Sequence, residues 1–315
     1  MATTSARLEG WTPIGFSDDP EPRLEWADLR DHRFDGSFLG HIVEAWRKAD
    51  PRPTGWSELS ALADLESLPS LDPGLIIAQA ARCGSTLLAR QMAGLDGAMS
   101  ISEPGFLGRL LIWGIDEEGA GPTSLLLRRL VRALGRVRFG DERRFILKLS
   151  SSLTRFLPLF RAAFPKARIV WLQRRPAEIV ASELRGPGRW LGPVPQDRDA
   201  LAVEVLRKLT TVFLSANAYV TDDMLVLDYR DLPGAAWTRV APFVGAEPTA
   251  GERARMAEVA RNHSKTGKPF APHRDQPLSP AVRAMVEQTL DPLYDALDRR
   301  RTGAGSTTAH RQVAE

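Results

Sequence analysis

The middle of the chain contains four short apolar runs, at 75–79, 145–149, 168–173 and 224–229. Each run is bounded by polar or small residues, a pattern typical of strands that are buried on both faces of a parallel sheet. The stretches between the runs carry apolar residues at helical spacing, as in TLLARQMAGL at 86–95. Strands that alternate with helices predict right-handed crossover units, and therefore a parallel sheet with helices on its faces.

The pattern predicts a single α/β domain over residues 71–300, with a central parallel sheet flanked by helices. Residues 1–70 are rich in Asp, Pro and Trp, and we interpret them as an N-terminal extension that packs on this core. Residues 301–315 are mostly small and polar, which predicts a flexible tail. Ligands of such sheets bind beyond the carboxyl ends of the strands, so we expect the site there.

Composition narrows the class of protein. The 315 residues are 43% hydrophobic and 26% charged, an ordinary globular balance. Lys and Arg number 42 against 39 Asp and Glu, a net charge of +3, which is too small to suggest a nucleic-acid partner. No apolar run approaches the roughly 18 residues of a membrane span, and the single cysteine excludes an intrachain disulfide. We expect a cytoplasmic protein and leave its oligomeric state open.

A candidate phosphate loop follows the first apolar run, where residues 80–86 read AARCGST. Successive backbone N–H groups at the start of a helix form an anion cradle, and Gly84 permits a close approach. A nucleoside-triphosphate loop would read G-x-x-x-x-G-K-[ST]. Here no Lys stands between Gly84 and Ser85, and the cation Arg82 precedes the glycine instead. The loop therefore lacks the Lys that reaches the β- and γ-phosphates.

This loop resembles that of the sulfotransferases that use 3′-phosphoadenosine-5′-phosphosulfate (PAPS). The branch with protein-tyrosine and carbohydrate sulfotransferases is the most similar, with a loop that reads roughly R-[SC]-G-[ST]-T. The resemblance implies a P-loop-containing, sulfotransferase-like fold. It also implies that the 5′-phosphosulfate is bound by Arg82, Cys83, Gly84, Ser85 and Thr86.

A second segment, RIVWLQRRPAEIVASEL at 168–184, resembles the 3′-phosphate motif of the same family. The resemblance implies that Arg174 and Ser182 bind that phosphate, the first as a forked cation and the second as a hydroxyl donor. The family usually has Asp where this chain has Arg175. Which of the two arginines contacts the phosphate therefore stays open, and a surface salt bridge of Arg174 is the alternative.

The resemblance also implies the catalytic groups. The tyrosyl-protein branch has a Glu acting as general base at the position of Glu103, which Pro104 holds in an extended or turn geometry. Arg82 and Lys148 are expected to stabilise the leaving bridging oxygen. The cytosolic branch instead has a catalytic His two residues after this Lys, and the residue here is Ser150. The alternatives are that Glu103 starts a helix and that Lys148 merely pairs with an acid.

The predicted function is an in-line transfer of a sulfuryl group from PAPS to a hydroxyl acceptor, with 3′-phosphoadenosine 5′-phosphate (PAP) as product and no metal. The acceptor stays open among small molecules, sugars and peptides. One alternative is a P-loop nucleotide kinase-like enzyme in which the strand end LVLD at 225–228 holds a metal. The other is a non-catalytic protein that binds PAP.

Some further residues are considered but given secondary roles. Segments 186–195, with Trp190, and 263–273, with two lysines, are candidate lids or mere connections. The thiol of Cys83 lies at a helix N-terminus, where the pKa of a thiol tends to fall, so a nucleophile is an alternative to a small packing residue. The histidines match no motif and are treated as structural; they are His32, His41, His263, His273 and His310.

Overall fold

The computed structural model describes Leu8 and residues 10–17, 19–49, 54–261 and 277–302. The strands in these ranges are β1 Trp11–Phe16, β2 Arg23–Asp28, β3 Asp35–Phe38, β4 Thr54–Glu58, β5 Leu75–Gln79, β6 Ala98–Ser102, β7 Arg144–Lys148, β8 Arg168–Gln173 and β9 Leu225–Asp228. The α-helices are α1 Leu39–Ala49, α2 Ala61–Asp64, α3 Ser85–Met92, α4 Leu107–Glu118, α5 Ala120–Leu134, α6 Leu157–Ala163, α7 Pro176–Arg185, α8 Arg198–Tyr219, α9 Ala241–Phe243, α10 Ala250–Arg261, α11 Pro280–Thr289 and α12 Asp291–Arg301.

The central sheet has six strands in the order β3-β6-β7-β5-β8-β9, and every neighbouring pair is parallel. All five residues of β5 are buried, because this strand lies inside the sheet and both of its faces are covered. The prediction of an α/β fold with a central parallel sheet flanked by helices is confirmed. Since the strands run in one direction, their carboxyl ends meet at one edge of the sheet.

Two strands of this sheet, β3 and β6, fall outside the apolar runs of the sequence. Their sequences are DGSF and AMSIS, so small and polar residues interrupt the hydrophobic pattern. The hydroxyl of Ser102 is buried and donates to the carbonyl of Gly36 at 2.8 Å, which satisfies a polar group inside the core. Because a buried serine with an internal hydrogen-bond partner interrupts the hydrophobic pattern, that pattern does not predict this core strand.

Strands β1, β2 and β4 form a separate antiparallel sheet in the order β1-β2-β4. Trp26 of β2 is fully buried, and the Arg136 guanidinium lies 5.8 Å from the centroid of its ring. Arg138 donates to the hydroxyl of Thr12 at 3.1 Å. The N-terminal 70 residues thus supply this small sheet and also β3, the edge strand of the central sheet.

The C-terminal part of the domain ends in two consecutive helices, α11 and α12. The break falls at Leu290, and Pro292 occupies the first turn of α12. Proline is accepted there because the first turn leaves its N–H groups unpaired, whereas inside a continuous helix it removes a hydrogen bond. None of the described helices combines the length and the apolarity that a membrane span requires.

Replacement of Phe213 by Ala should lower the free energy of unfolding by about 3–5 kcal/mol. Phe213 is fully buried on α8 and packs edge-on against Trp171 of β8, with ring centroids 6.3 Å apart. The matched control is Leu214→Ala, because that side chain is 53% exposed and should change stability by less than about 0.5 kcal/mol. Urea denaturation of both variants measures the difference, and equal losses would contradict the assigned core.

Candidate active site

The loop between β5 and α3 has an unusual backbone. Ala81, Arg82 and Gly84 have φ values of 69°, 46° and 83°, in the left-handed region that side chains other than glycine seldom adopt. A Cβ atom on Gly84 would lie 2.9 Å from side-chain atoms of Tyr229 and Leu232. Only glycine therefore fits there. A compact turn of this kind at the start of a helix can present its backbone N–H groups to an anion.

One buried amide, that of Gln79 at the end of β5, connects this loop to the neighbouring strands. Its Oε1 atom accepts hydrogen bonds from the Ser85 hydroxyl and, at 3.7 Å, from the Cys83 thiol. Its Nε2 atom donates to Glu103 Oε1 at 2.9 Å and to the carbonyl of Leu149 at 3.0 Å. The sequence analysis placed Gln79 at the end of a strand and gave it no role in the site. The feature that could have indicated a role is its position: it is a polar residue at the end of an apolar strand, at the edge of the sheet where ligands bind.

Glu103 and Lys148 form an ion pair at the ends of β6 and β7. The Lys148 ammonium donates to Glu103 Oε1, and its side chain is only 1% exposed. The Lys148 Nζ atom also lies 4.9 Å from the centroid of the Phe38 ring. Glu103 itself has a left-handed φ of 49°, and its N–H donates to the Lys148 carbonyl at 2.8 Å. Two of the three predicted catalytic residues, Glu103 and Lys148, are therefore in contact. Pairing with an acid was the alternative interpretation of Lys148, and this pairing is present.

The side chain of Arg82 is turned towards the end of α7. Its Nε atom donates to Glu183 Oε1 at 2.9 Å, and its Nη2 atom donates to the carbonyl of Gly186. Glu183 is fully buried and also accepts from the N–H of Gly188 at 2.6 Å and from the indole of Trp190 at 3.0 Å. The segment predicted as a loop at 186–195 is thus tied to the phosphate loop through one carboxylate.

Glu183 was missed by sequence reasoning. The spacing of residues on α7 does not indicate that Glu183 is buried. An acidic residue on an amphipathic helix ordinarily faces water. Its burial is explained by partners that lie on two other segments of the chain, the phosphate loop and residues 186–190. A buried carboxylate needs such partners, since an unpaired charge in the interior is costly.

Arg174 lies directly beside the phosphate loop. Its Nη1 atom donates to the backbone carbonyl of Arg82 at 3.2 Å, and its guanidinium stacks 4.5 Å from the centroid of the Tyr229 ring. Its Nε atom also pairs with Glu178 at 2.6 Å, one helical turn away. The salt bridge that the sequence left as an alternative is therefore present together with the contact to the loop.

Arg175 and Ser182 have different surroundings from Arg174. Arg175 is exposed. Burial raises the pKa of Asp291, and the charge of Arg175 opposes that effect. Ser182 is buried on α7, and its hydroxyl accepts from Arg185 at 3.4 Å. Of the two arginines, Arg174 is the one in contact with the phosphate loop.

Asp228, the acidic strand end of the kinase-like alternative, is occupied by protein donors. Its Oδ2 atom accepts from the Tyr294 hydroxyl at 2.7 Å, and its Oδ1 atom accepts from Arg230 at 2.6 Å. Burial would raise the pKa of Asp228, but these hydrogen bonds outweigh burial and lower it. Asp228 and Asp231 cap the turn Tyr229–Asp231 reciprocally. This carboxylate thus anchors α12 to the sheet.

Metal-ligand geometry does not occur in the described ranges, where no three His, Cys, Asp or Glu side chains are grouped to hold an ion. His32 packs against Phe34 and His41 against Phe38, with ring centroids 5.3 and 5.2 Å apart. Several other residues of the sequence analysis lie outside the described residues: His263, Lys265, Lys268, His273 and His310.

The thiol of Cys83 is fully buried in the phosphate loop. Burial raises its pKa to about 11, and the charge of nearby Lys148 and hydrogen bonds in the loop reduce that effect only in part. The expectation that a helix N-terminus lowers this pKa is wrong here, because removal from water outweighs the helix. A neutral, buried thiol fits a small packing residue rather than a nucleophile.

No protein-family model and no curated protein matches the sequence. Among solved structures, the fold is similar to sulfotransferase STF9 from Mycobacterium avium, with 15% identity, a TM-score of 0.46 and coverage of 79% of this chain and 81% of that one. The fold is also similar to a sulfotransferase from Alicyclobacillus acidocaldarius, with 15% identity and a TM-score of 0.45. That match covers 74% of this chain and 96% of the other.

Alkylation of Cys83 by iodoacetamide at pH 8 should be at least ~100-fold slower in the folded protein than in the unfolded chain. A free thiol has a pKa near ~8.5, so a pKa of about 11 leaves far less thiolate, and burial adds a steric barrier. Mass spectrometry of protein labelled with and without guanidinium chloride measures both rates. Labelling of the folded protein at the rate of a free thiol would contradict the buried loop.

Proposed function

We propose that this protein is a sulfotransferase that moves a sulfuryl group from PAPS to the hydroxyl group of an acceptor and releases PAP. The observation that carries the proposal is the hydrogen bond from Arg174 to the Arg82 carbonyl at 3.2 Å. It joins two cationic segments at the ends of β5 and β8, which are neighbouring strands. A single ligand with two phosphate-bearing ends is the simplest occupant of two such segments.

In the proposed complex the backbone N–H groups of residues 82–86 hold the 5′-phosphosulfate, with the hydroxyl group of Thr86 as a further donor. The Ser85 hydroxyl donates to Gln79 and so positions the loop. Arg174 and Ser182 hold the 3′-phosphate. A guanidinium has five N–H donors in a planar fork. Arg174 uses one on the loop carbonyl and one on the exposed Glu178, so it keeps donors for a dianionic phosphate.

The transfer step uses three side chains. Glu103 takes the proton of the acceptor hydroxyl as that oxygen forms its bond to sulfur. The bond between sulfur and the bridging oxygen breaks, and its electron pair stays on the 5′-phosphate. Arg82 and Lys148 stabilise this charge. Arg82 is supported by Glu183, and the charge of Lys148 reaches the loop, where it acts on the Cys83 thiol.

Fixed cations suit this reaction because a transferring sulfuryl group carries less charge than a terminal phosphoryl group, so we propose a reaction without a metal. The kinase-like alternative is less favoured because both oxygens of Asp228 bind protein donors and because the loop lacks the lysine of a nucleoside-triphosphate site. A non-catalytic protein that binds PAP differs from the proposed enzyme only in turnover, so a measurement of turnover separates them.

PAP should raise the melting temperature of the protein, and ATP should raise it less. Arg174→Ala should weaken PAP binding about 10- to 100-fold, the cost of a charge-assisted hydrogen bond to phosphate. Arg175→Ala is the matched control and should bind PAP like the wild type, since Arg175 is exposed and Arg174 is the arginine that contacts the phosphate loop. Thermal-shift titrations give the affinities. A larger effect of ATP, or an Arg174→Ala variant with unchanged affinity, would overturn the donor assignment.

Glu103→Gln should lower kcat by about 10²- to 10⁴-fold through loss of the general base. The amide keeps an oxygen that can accept from Lys148 and Gln79, so the fold and PAP affinity should be retained within a few-fold. PAP release from PAPS is measured with 2-naphthol, N-acetylglucosamine and a tyrosine-containing peptide as acceptors. Turnover at the wild-type rate would remove Glu103 from the mechanism.

A further inference from the structure

The buried carboxylate of Glu183 accepts hydrogen bonds from two other segments of the chain. Its Oε1 atom accepts from Arg82 Nε at 2.9 Å and from the Trp190 indole at 3.0 Å. Its Oε2 atom accepts from the Gly188 N–H at 2.6 Å. Because both oxygens are engaged and the side chain is fully buried, few other orientations are open to the carboxylate or to the guanidinium that it binds.

The guanidinium of Arg82 is bound by the protein at one end only. Its Nε atom donates to Glu183, and its Nη2 atom donates to the carbonyl of Gly186. Its Nη1 atom has no hydrogen-bond partner among the described residues, and the side chain is 23% exposed. A guanidinium has two N–H groups on each Nη atom. Both N–H groups of Nη1 and one of Nη2 are therefore left for a ligand.

Stability alone is a weak reason for a buried pair of this kind. The loss of hydration of two charges offsets most of their attraction, so an ion pair in the interior adds little to the free energy of unfolding. What the pair does determine is geometry, because an unbound arginine side chain populates many rotamers. The backbone of Arg82 is held as well, since its carbonyl accepts from Arg174 at 3.2 Å. Contacts from outside the phosphate loop thus fix both parts of this residue.

We propose that Glu183 is a positioning residue for the sulfuryl transfer and acts through Arg82. When the bond between sulfur and the bridging oxygen breaks, its electron pair stays on that oxygen, and the N–H groups that Glu183 has oriented stabilise the charge. Segment 186–190, which supplies Gly188 and Trp190, is then a support of this cation rather than a lid or a mere connection. The assignment rests on the proposed function, in which Arg82 binds the bridging oxygen.

Glu183→Gln should lower kcat much more than it changes the affinity for PAP. An amide has one accepting oxygen, and its NH2 group would face a donor, so Arg82 loses its fixed orientation. We expect kcat to fall about 10- to 100-fold, the effect of a catalytic group displaced by about 1 Å. PAP affinity should change less than ~3-fold, because the removal of a negative charge beside an anion offsets the loss of orientation. Losses of the same size in kcat and in PAP affinity would contradict the positioning role.

The route through Arg82 is tested by the same substitution in an Arg82→Ala background. Arg82→Ala alone should lower kcat about 10²- to 10³-fold, the effect of losing one donor to the developing charge. Once the guanidinium is absent, Glu183 has nothing to orient, so the double variant should have a kcat within a factor of ~3 of Arg82→Ala. A merely structural role of Glu183 would lower kcat by the same factor in both backgrounds, and that result would overturn the proposal.

A second substitution changes the support without removing a charge. Trp190→Phe deletes one donor to Glu183 and should lower kcat about 2- to 10-fold, the effect of one neutral hydrogen bond. Its control is Trp113→Phe, at a partly buried tryptophan of α4. The control for Glu183→Gln is Glu252→Gln, because Glu252 is also buried and accepts a backbone N–H, that of Asp96 beyond the far end of α3 from the phosphate loop. Both controls should keep the wild-type kcat.

The measurements separate this role from the function on which it rests. PAP release from PAPS is followed with the three acceptors named above and with water alone, because transfer to water uses the same leaving oxygen. Thermal-shift titrations give the PAP affinity of every variant. A wild type without a PAP shift, or without PAP release above the rate in buffer, would overturn the proposed function and this role with it. A normal wild type combined with unchanged kcat in Glu183→Gln or Trp190→Phe would overturn the role of Glu183 alone.

Discussion

The geometry of the candidate site depends on the hydrogen bonds made by the Gln79 side chain. This one amide holds a hydroxyl of the phosphate loop through its oxygen and the Glu103 carboxylate through its nitrogen. Buried polar groups are costly when unpaired, so a network whose members satisfy one another allows few other arrangements. The proposed base, its Lys148 partner and the anion cradle are therefore fixed relative to one another before any ligand binds, which is the condition for electrostatic stabilisation of a transition state.

A second buried carboxylate extends this rigidity to the far side of the loop. Glu183 ties the Arg82 guanidinium to the backbone of Gly188 and the indole of Trp190. The proposed cation beside the bridging oxygen is thus oriented by the segment that follows α7. That segment also directly follows α7, the helix that carries Ser182. Removal of the Glu183 carboxylate would leave the Arg82 guanidinium without its ion-pair partner. It would also remove the acceptor for Gly188 and Trp190.

Sequence reasoning recovered the parts of this structure that are local in the chain. β5 and β8 are uninterrupted apolar runs, and the phosphate loop is a contiguous stretch, so pattern alone located them. β6 was missed because Ser100 and Ser102 break its pattern, although both are buried. The site network could not be read in the same way. Gln79 and Glu103 are hydrogen-bonded but are separated by 24 positions in the sequence. Arg82 and Glu183 are separated by 101 positions. Only the folded sheet brings such partners together.

The residues of the proposed site come from the ends of four neighbouring strands. The donor-binding groups are backbone N–H groups and arginines that follow β5 and β8, where charge and turn geometry restrict the sequence strongly. The proposed base and its lysine partner lie at the ends of β6 and β7. Because β5 pairs with β7 on one side and with β8 on the other, the phosphate loop lies between Lys148 and Arg174. The order of the strands thus sets the order of the proposed donor and catalytic groups along one edge of the sheet.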